Sequence, residues 1–425
     1  MEHIVIIGNG IAGITAARHI RKNSDKKITV ISAESDYFFS RTALMYVYMG
    51  HMQYENLKPY EDDFWKKNRI ELKRSRVEKI DFKEKMLHFS MGEPLKYDTL
   101  VLATGSVPNK FGWEGQDLRG VQGLVSLQDL EMLEENSKDC KKAVIVGGGL
   151  IGVEMTEMLH SRNIDVTLLV RENGFWANVL PEHDAQLLSD HISSLGVDIR
   201  HNTLLHKILP DGNGRARAVI TGDGEEIECD LVGLCTGVRP NIDFLKNSAL
   251  ETDLGILVDA YLETNIPGVY AIGDCAQQRE AIGLRKSVEA VWYTGRMMGE
   301  TLAQTLTGHK IPYKPGNWFN SAKFFDIEYQ TYGWVHPVQN ENEQHLHWVH
   351  PDKDKFITLA FNPVTNLFYG INTYGIRMRH EVFDTWLSQG VSVQHVMQHL
   401  KEANFDPEFY RRYEKEMFKD VALNN

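Results

Sequence analysis

The chain alternates short, almost continuously apolar runs with longer stretches in which apolar positions recur every three or four residues. Ile4 to Ile7, Ile28 to Ser32, Thr99 to Ala103, Val144 to Val146, Val166 to Val170 and Leu231 to Cys235 are the short runs. Strands of a parallel sheet covered on both faces read this way, with helices between them. The grammar of strand, glycine turn, helix and second strand occurs twice, from residue 4 and from residue 144, as in a duplicated nucleotide-binding unit. From about residue 316 it gives way to aromatic-rich runs, Trp318 to Phe325 and Phe356 to Phe361, and then to helical stretches from Arg379 and Val391. No Pro/Ser linker or low-complexity tract intervenes, so domains that pack rather than swing are expected.

Composition narrows the partners more than the fold. At 425 residues, 42% apolar and 24% charged, the chain suggests two or three domains. A net charge of −12 without a basic block argues against nucleic acid and anionic lipid. No apolar run approaches the roughly 20 residues that span a bilayer, and the first strand follows Met1-Glu2-His3 without a charged-then-apolar leader. Cys140, Cys229, Cys235 and Cys275 show no C-x-x-C spacing, which fits free thiols in a reducing compartment. A cytoplasmic chain with no integral membrane segment is expected.

The first glycine loop is Gly8-Asn9-Gly10-Ile11-Ala12-Gly13, between a buried strand and a helix. Gly8 allows the tight turn, Gly10 lets backbone approach a pyrophosphate, and Gly13 lets the helix sit close to the sheet, while the helix N-terminus offers N–H groups and dipole to phosphate. Glu34, 21 residues past Gly13 and just after the second strand, can accept from ribose hydroxyls. Gly147, Gly149 and Gly152 repeat the loop, which implies a second dinucleotide. At the end of its second strand, Val170 stands where an NADH site often carries an acid. Arg171 favours a 2′-phosphate and Glu172 pulls the other way, so NADH and NADPH both remain open.

Three further segments are Tyr97 to Gly105, Thr236-Gly237-Val238-Arg239-Pro240-Asn241, and Val269 to Ala276 with Gly273-Asp274-Cys275. Together with both glycine loops they closely resemble the pyridine nucleotide-disulfide oxidoreductase superfamily, in order and spacing, over roughly residues 1 to 310. The resemblance implies an α/β fold with two Rossmann-like domains, for FAD and for NAD(P)H, plus a C-terminal α+β interface domain. The expected boundaries are 1–115 with 245–315 for FAD, 116–244 for NAD(P), and 316–425 for homodimerisation. It implies that Asp274 lies near the ribityl and pyrophosphate groups of FAD, that Ala103, Thr104 and Gly105 close the FAD domain, and that Gly237 lies against the nicotinamide dinucleotide. Glu154 matches an acid that helps position nicotinamide, although an exposed acid in a helix's first turn would look the same. Hydride would pass from nicotinamide C4 to flavin N5, the protein's task being to place the rings.

Disulfide-reducing members carry cysteine early in the FAD domain, where this chain has Thr42. The stretch is more similar to the ferredoxin, rubredoxin and nitrite reductase flavoprotein branch, in which Arg41 and Leu44 would line FAD. A lysine of that branch near flavin N5 is replaced by Tyr46, a candidate catalytic position whose departure leaves acceptor choice open. The implied partner is a small iron–sulfur electron carrier such as ferredoxin or rubredoxin. The alternatives are an NADH:quinone reductase, a small-molecule dehydrogenase, or a redox-responsive interaction protein like apoptosis-inducing-factor relatives.

His345, His347 and His350, and the pair His395 and His399, lack a third ligand at recognised spacing, so structural histidines and no metal are expected. Arg377, Arg379, Arg411, Arg412 and Lys415 read as a solvated face before a docking patch. The segment from Glu414 to Val421 lacks a broad apolar stripe.

Overall fold

The computed structural model describes residues 1–405, 412–414 and 416–417; Arg411, Lys415 and residues 418–421 of the terminal segment lie outside them. The chain divides into two compact units, Met1–Phe111 with Gln122–Asp139 and Thr236–Pro315, and Gly112–Val121 with Cys140–Cys235 and Gly316–Asn425.

In the first unit a parallel sheet runs in the order Val269–Ala271, Thr99–Leu102, His3–Ile7, Lys27–Ser32, Ile70–Arg74. Ile4, Val5 and Ile6 in its central strand are fully buried, which is why that strand carries no polar alternation. The helices Ile11–Asn23 and Trp292–Leu306 pack closely, and a Cβ on Gly299 would lie 2.6 Å from the Ala12 carbonyl oxygen. From His3–Ile7 the chain moves one way to Lys27–Ser32 and later crosses back to Thr99–Leu102. The carboxyl ends of these two central strands therefore form a switch point, the place where open α/β sheets bind ligands.

The second unit repeats the plan. Lys142–Val146 lies between Asp165–Leu169 and Leu231–Leu234, all parallel, with Asp198–Arg200 beyond. Its other half is an antiparallel sheet in the order Phe319–Phe324, Ile327–Gly333, Phe368–Tyr374, Phe356–Phe361, Gln344–Val349, followed by the helices His380–Gln389 and Val393–His399.

The fold is thus α/β with two Rossmann-like sheets, and every short apolar run of the sequence becomes a strand. The compact units depart from the expected boundaries. Gln122–Asp139 and the residues from Thr236 cluster with the first unit, and Gly316–Asn425 shares the second unit with Cys140–Cys235. Physical ties explain the last grouping: Phe175 and Trp176 meet Phe324 at ring distances of 5.4 and 5.8 Å, and the fully buried Asp184 accepts hydrogen bonds from Thr358 and Tyr374. Among the described residues no helix is long and apolar enough to cross a membrane.

Two candidate dinucleotide cradles

The glycines of the first loop divide into two that the fold requires and one that it leaves open. Gly8 has φ +117°, and a Cβ there would lie 1.9 Å from the Ala103 carbonyl oxygen; a Cβ on Gly13 would lie 2.1 Å from the Gly8 oxygen. At Gly10 nothing lies within 4 Å, so the space facing the loop is available to a ligand rather than filled by protein. The helix that starts there has no side-chain cap and no acid in its first turn, which leaves its first N–H groups free to meet an anion. This donor set fits a pyrophosphate.

Around the loop stand most of the other expected contacts. Glu34 receives both Arg41 guanidinium nitrogens, at 2.8 and 2.5 Å, and the Leu127 N–H at 2.9 Å. The fork fixes the carboxylate's orientation, and Arg41 also donates to the Val125 carbonyl, tying two loops together. Ser106 Oγ donates to Asp274 Oδ2 at 2.8 Å; burial pushes the Asp274 carboxyl up, while Ser106 and the charge of Arg41 pull it back. Thr104 Oγ1 donates to the Asn241 carbonyl at 2.8 Å, and the Asn241 N–H donates to Gly105, which has φ +69°. Tyr46 is half-buried on the short helix Leu44–Tyr48, its ring stacked 6.1 Å from that of His51, while Thr42 is exposed.

In the second unit Gly147 has φ +118°, a Cβ on Gly152 would lie 1.9 Å from the Gly147 oxygen, and Gly149 again faces open space. The helix Leu150–His160 likewise starts without a side-chain cap or a first-turn acid. Glu154 therefore lies beyond the first turn and is half-buried, unlike an exposed dipole-favoured acid. Burial, reinforced by Glu157, pushes its carboxyl up to about 7, against a weaker pull from Lys323. Lys323 itself donates to Glu157 at 2.6 Å. Arg171 is exposed and pairs at 2.7 Å with Glu172, so the two residues that favour opposite nicotinamide dinucleotides neutralise each other.

Gly237 was expected against the nicotinamide dinucleotide. It belongs to the first unit, where its carbonyl accepts the Asn109 N–H at 3.0 Å, next to the pairing of Val238–Pro240 with Ser106–Pro108. Sequence reasoning missed Ser106, Asn241, Glu157 and Lys323. Ser106 follows directly on the Ala103 to Gly105 turn and Asn241 closes the Thr236 to Asn241 segment, whereas nothing in the sequence links Lys323 to Glu157. Arg377 and Arg379 pair with Glu328 and Glu381, as a solvated face would.

Residues 2–299 match the family profile described as pyridine nucleotide-disulphide oxidoreductase. The chain belongs to this family. Membership makes it an oxidoreductase that uses FAD and NAD(P)H. Among curated relatives, the chain is 30% identical over 281 residues to the nitrite reductase [NAD(P)H] of Bacillus subtilis, matching 65% of this chain but 35% of that protein. It is 29% identical over 326 residues to the ferredoxin--NAD(+) reductase component of the biphenyl dioxygenase system of Paraburkholderia xenovorans, covering 76% of this chain and 79% of that one. A solved structure with TM-score 0.83 is the ferredoxin reductase for the CYP199A2 system from Rhodopseudomonas palustris, 23% identical and covering 98% of this chain and 99% of that one, which shows the shared fold.

Proposed function

We propose that this family member is an NAD(P)H-dependent flavoprotein reductase that hands electrons to a small iron–sulfur carrier of the ferredoxin or rubredoxin kind. The observation that carries the reading is a pair of cradles with matching geometry in a chain whose Arg41 stretch holds no thiol: Thr42 stands in the cysteine position, and Cys229, Cys235 and Cys275 are buried. Without a cysteine relay, electrons leave from the flavin itself, which suits a one-electron carrier better than a disulfide. The name of the Paraburkholderia relative points the same way.

In this reading the first unit holds FAD, with the Gly10 backbone and helix N–H groups on the pyrophosphate, Glu34 on the adenosine ribose in an orientation set by Arg41, and Asp274 on the ribityl side. Bound FAD supplies the capacity to accept a hydride and release electrons singly. The second unit holds the nicotinamide dinucleotide around Gly149. Glu154, a carboxyl poised near neutrality, donates or accepts at the nicotinamide amide, and Gly237 belongs to the chain's return to the first unit. The segment 316–425 is the dimer face, and Tyr46 tunes the flavin's surroundings. A panel of acceptors offered to the reduced protein tests the reading. Turnover with ferredoxin or rubredoxin exceeding that with quinones or disulfides is expected. Faster quinone reduction would replace it, as would slow reoxidation by every acceptor combined with a nucleotide-dependent change in sedimentation.

A further inference from the structure

We propose that His183, Asp184 and His347 form a binding site for a divalent transition metal, zinc in the first place, within the second unit. His183 Nδ1 lies 3.5 Å and His347 Nδ1 3.7 Å from the same oxygen, Asp184 Oδ1, and the three atoms are all within 4.8 Å of one another. Those spacings are at or beyond the limit of a useful hydrogen bond. They lie close instead to the edges of a tetrahedron, since ligands about 2.0–2.2 Å from a zinc ion stand roughly 3.3–3.6 Å apart, so the three atoms need to draw together by only a few tenths of an ångström to about an ångström. The two imidazole rings lie in contact beside the carboxylate, their centres 4.2 Å apart and their planes tilted by 39°.

The carboxylate supplies the second, independent reason. Asp184 is fully buried, and its close donors are neutral: Thr358 Oγ1 at 2.6 Å on Oδ1, with Tyr374 OH at 3.0 Å and Asn372 Nδ2 at 3.4 Å on Oδ2. Among the described residues its ion-pair partners are these two histidines, with no lysine or arginine. A buried carboxylate without a lysine or arginine partner is costly, and a divalent ion held by Asp184 Oδ1 and the nitrogen edges of the two imidazoles would compensate it. Thr358, Tyr374 and Asn372 then act as the outer layer of hydrogen bonds that holds a metal-binding carboxylate in place. Both histidines are exposed, which leaves an approach for the ion and a fourth position for water. Two imidazoles with one carboxylate favour zinc, cobalt, nickel or copper over magnesium or calcium. Without metal, His347 Nδ1 is 2.9 Å from Thr358 Oγ1, so binding requires the His347 proton to reside on Nε2. Because the ligands come from the helix Glu182–Ser194 and the strand Gln344–Val349, the ion would pin the nucleotide-binding half of the unit to its C-terminal sheet.

The test uses the full-length, FAD-loaded protein, treated with a chelator, dialysed and titrated with zinc chloride, with metal content and calorimetry as readouts. One zinc per chain is expected, with a rise in melting temperature. His183→Ala/His347→Ala should weaken that zinc at least ~10-fold and abolish the thermal shift, its folding being checked by flavin content. The variant His395→Ala/His399→Ala, which removes a stacked, half-buried pair on another helix, should bind as the parent does. No zinc uptake, equal affinity in the His183/His347 variant, or equal binding of magnesium would overturn the site.

Discussion

The two cradles share a backbone and differ in what surrounds it. In each, a positive-φ glycine turns the chain off the central strand, a later glycine lets the helix touch that turn, and the middle glycine faces open space. Beyond that the first cradle is braced: the Glu34–Arg41 fork is joined by the Val125 carbonyl and the Leu127 N–H, and Asp274 is held by Ser106. The second has an exposed, self-neutralised Arg171–Glu172 pair at its rim and a half-buried acid on its helix. A ligand that stays needs preorganised contacts, whereas one that exchanges each turnover is better served by few. The same motif can thus be furnished for retention or for release.

Blocking each loop sharpens this contrast most. Gly10→Val and Gly149→Val place side chains in open space at extended backbone positions, so both proteins should fold. The first should purify without flavin. The second should keep its flavin and lose reduction by either nicotinamide dinucleotide, as absorbance spectra would show; flavin retained by the first variant would break the assignment. Gly8→Ala should instead damage the fold, since its Cβ would collide with the Ala103 carbonyl.

Next in size, Arg41→Ala frees Glu34 from its fork and should weaken FAD binding ~10–100-fold, the usual worth of a lost hydrogen bond to a charged group. An unchanged affinity by fluorescence titration would show that the brace is irrelevant to retention. Glu154→Gln tests the second helix through pH. The folded protein holds this carboxyl up to about 7 against an ordinary 4.5, so between those values the folded state binds more protons than the unfolded one. Stability should therefore fall as pH rises through that window, and the variant should show a flatter profile in chemical denaturation at pH 5 and pH 7.5. The smallest effect is expected at the exposed rim: Arg171→Ala should raise the KM for NADPH a few-fold more than that for NADH, and equal changes would remove Arg171 from cofactor choice.

Both cradles were legible because their requirements are local. A doubly covered strand excludes polar residues, and the glycines stand at fixed spacings next to it, so Ile4 to Gly13 and Val144 to Gly152 announce themselves. The brace was half legible: Glu34 and Arg41 could each be named, but not that they bind each other. What stayed hidden depends on contacts between distant segments. Asp184 meets Thr358 across 174 residues and Glu157 meets Lys323 across 166, and no short spacing encodes either. The same ties place the C-terminal sheet in the second unit, where the change of pattern near residue 316 suggested a separate domain. That His347 stands beside His183 and Asp184 was hidden for the same reason, since they come from another segment.

Anaerobic titration of the FAD-loaded protein with NADH and with NADPH, followed in the flavin's visible absorbance, tests most directly whether one chain holds an electron-accepting cofactor and its hydride donor in two separate cradles. Loss of the oxidised flavin spectrum with at least one nucleotide, abolished by Gly149→Val, is the predicted result. A spectrum unmoved by both nucleotides, or one bleached equally well in the Gly149→Val protein, would contradict it.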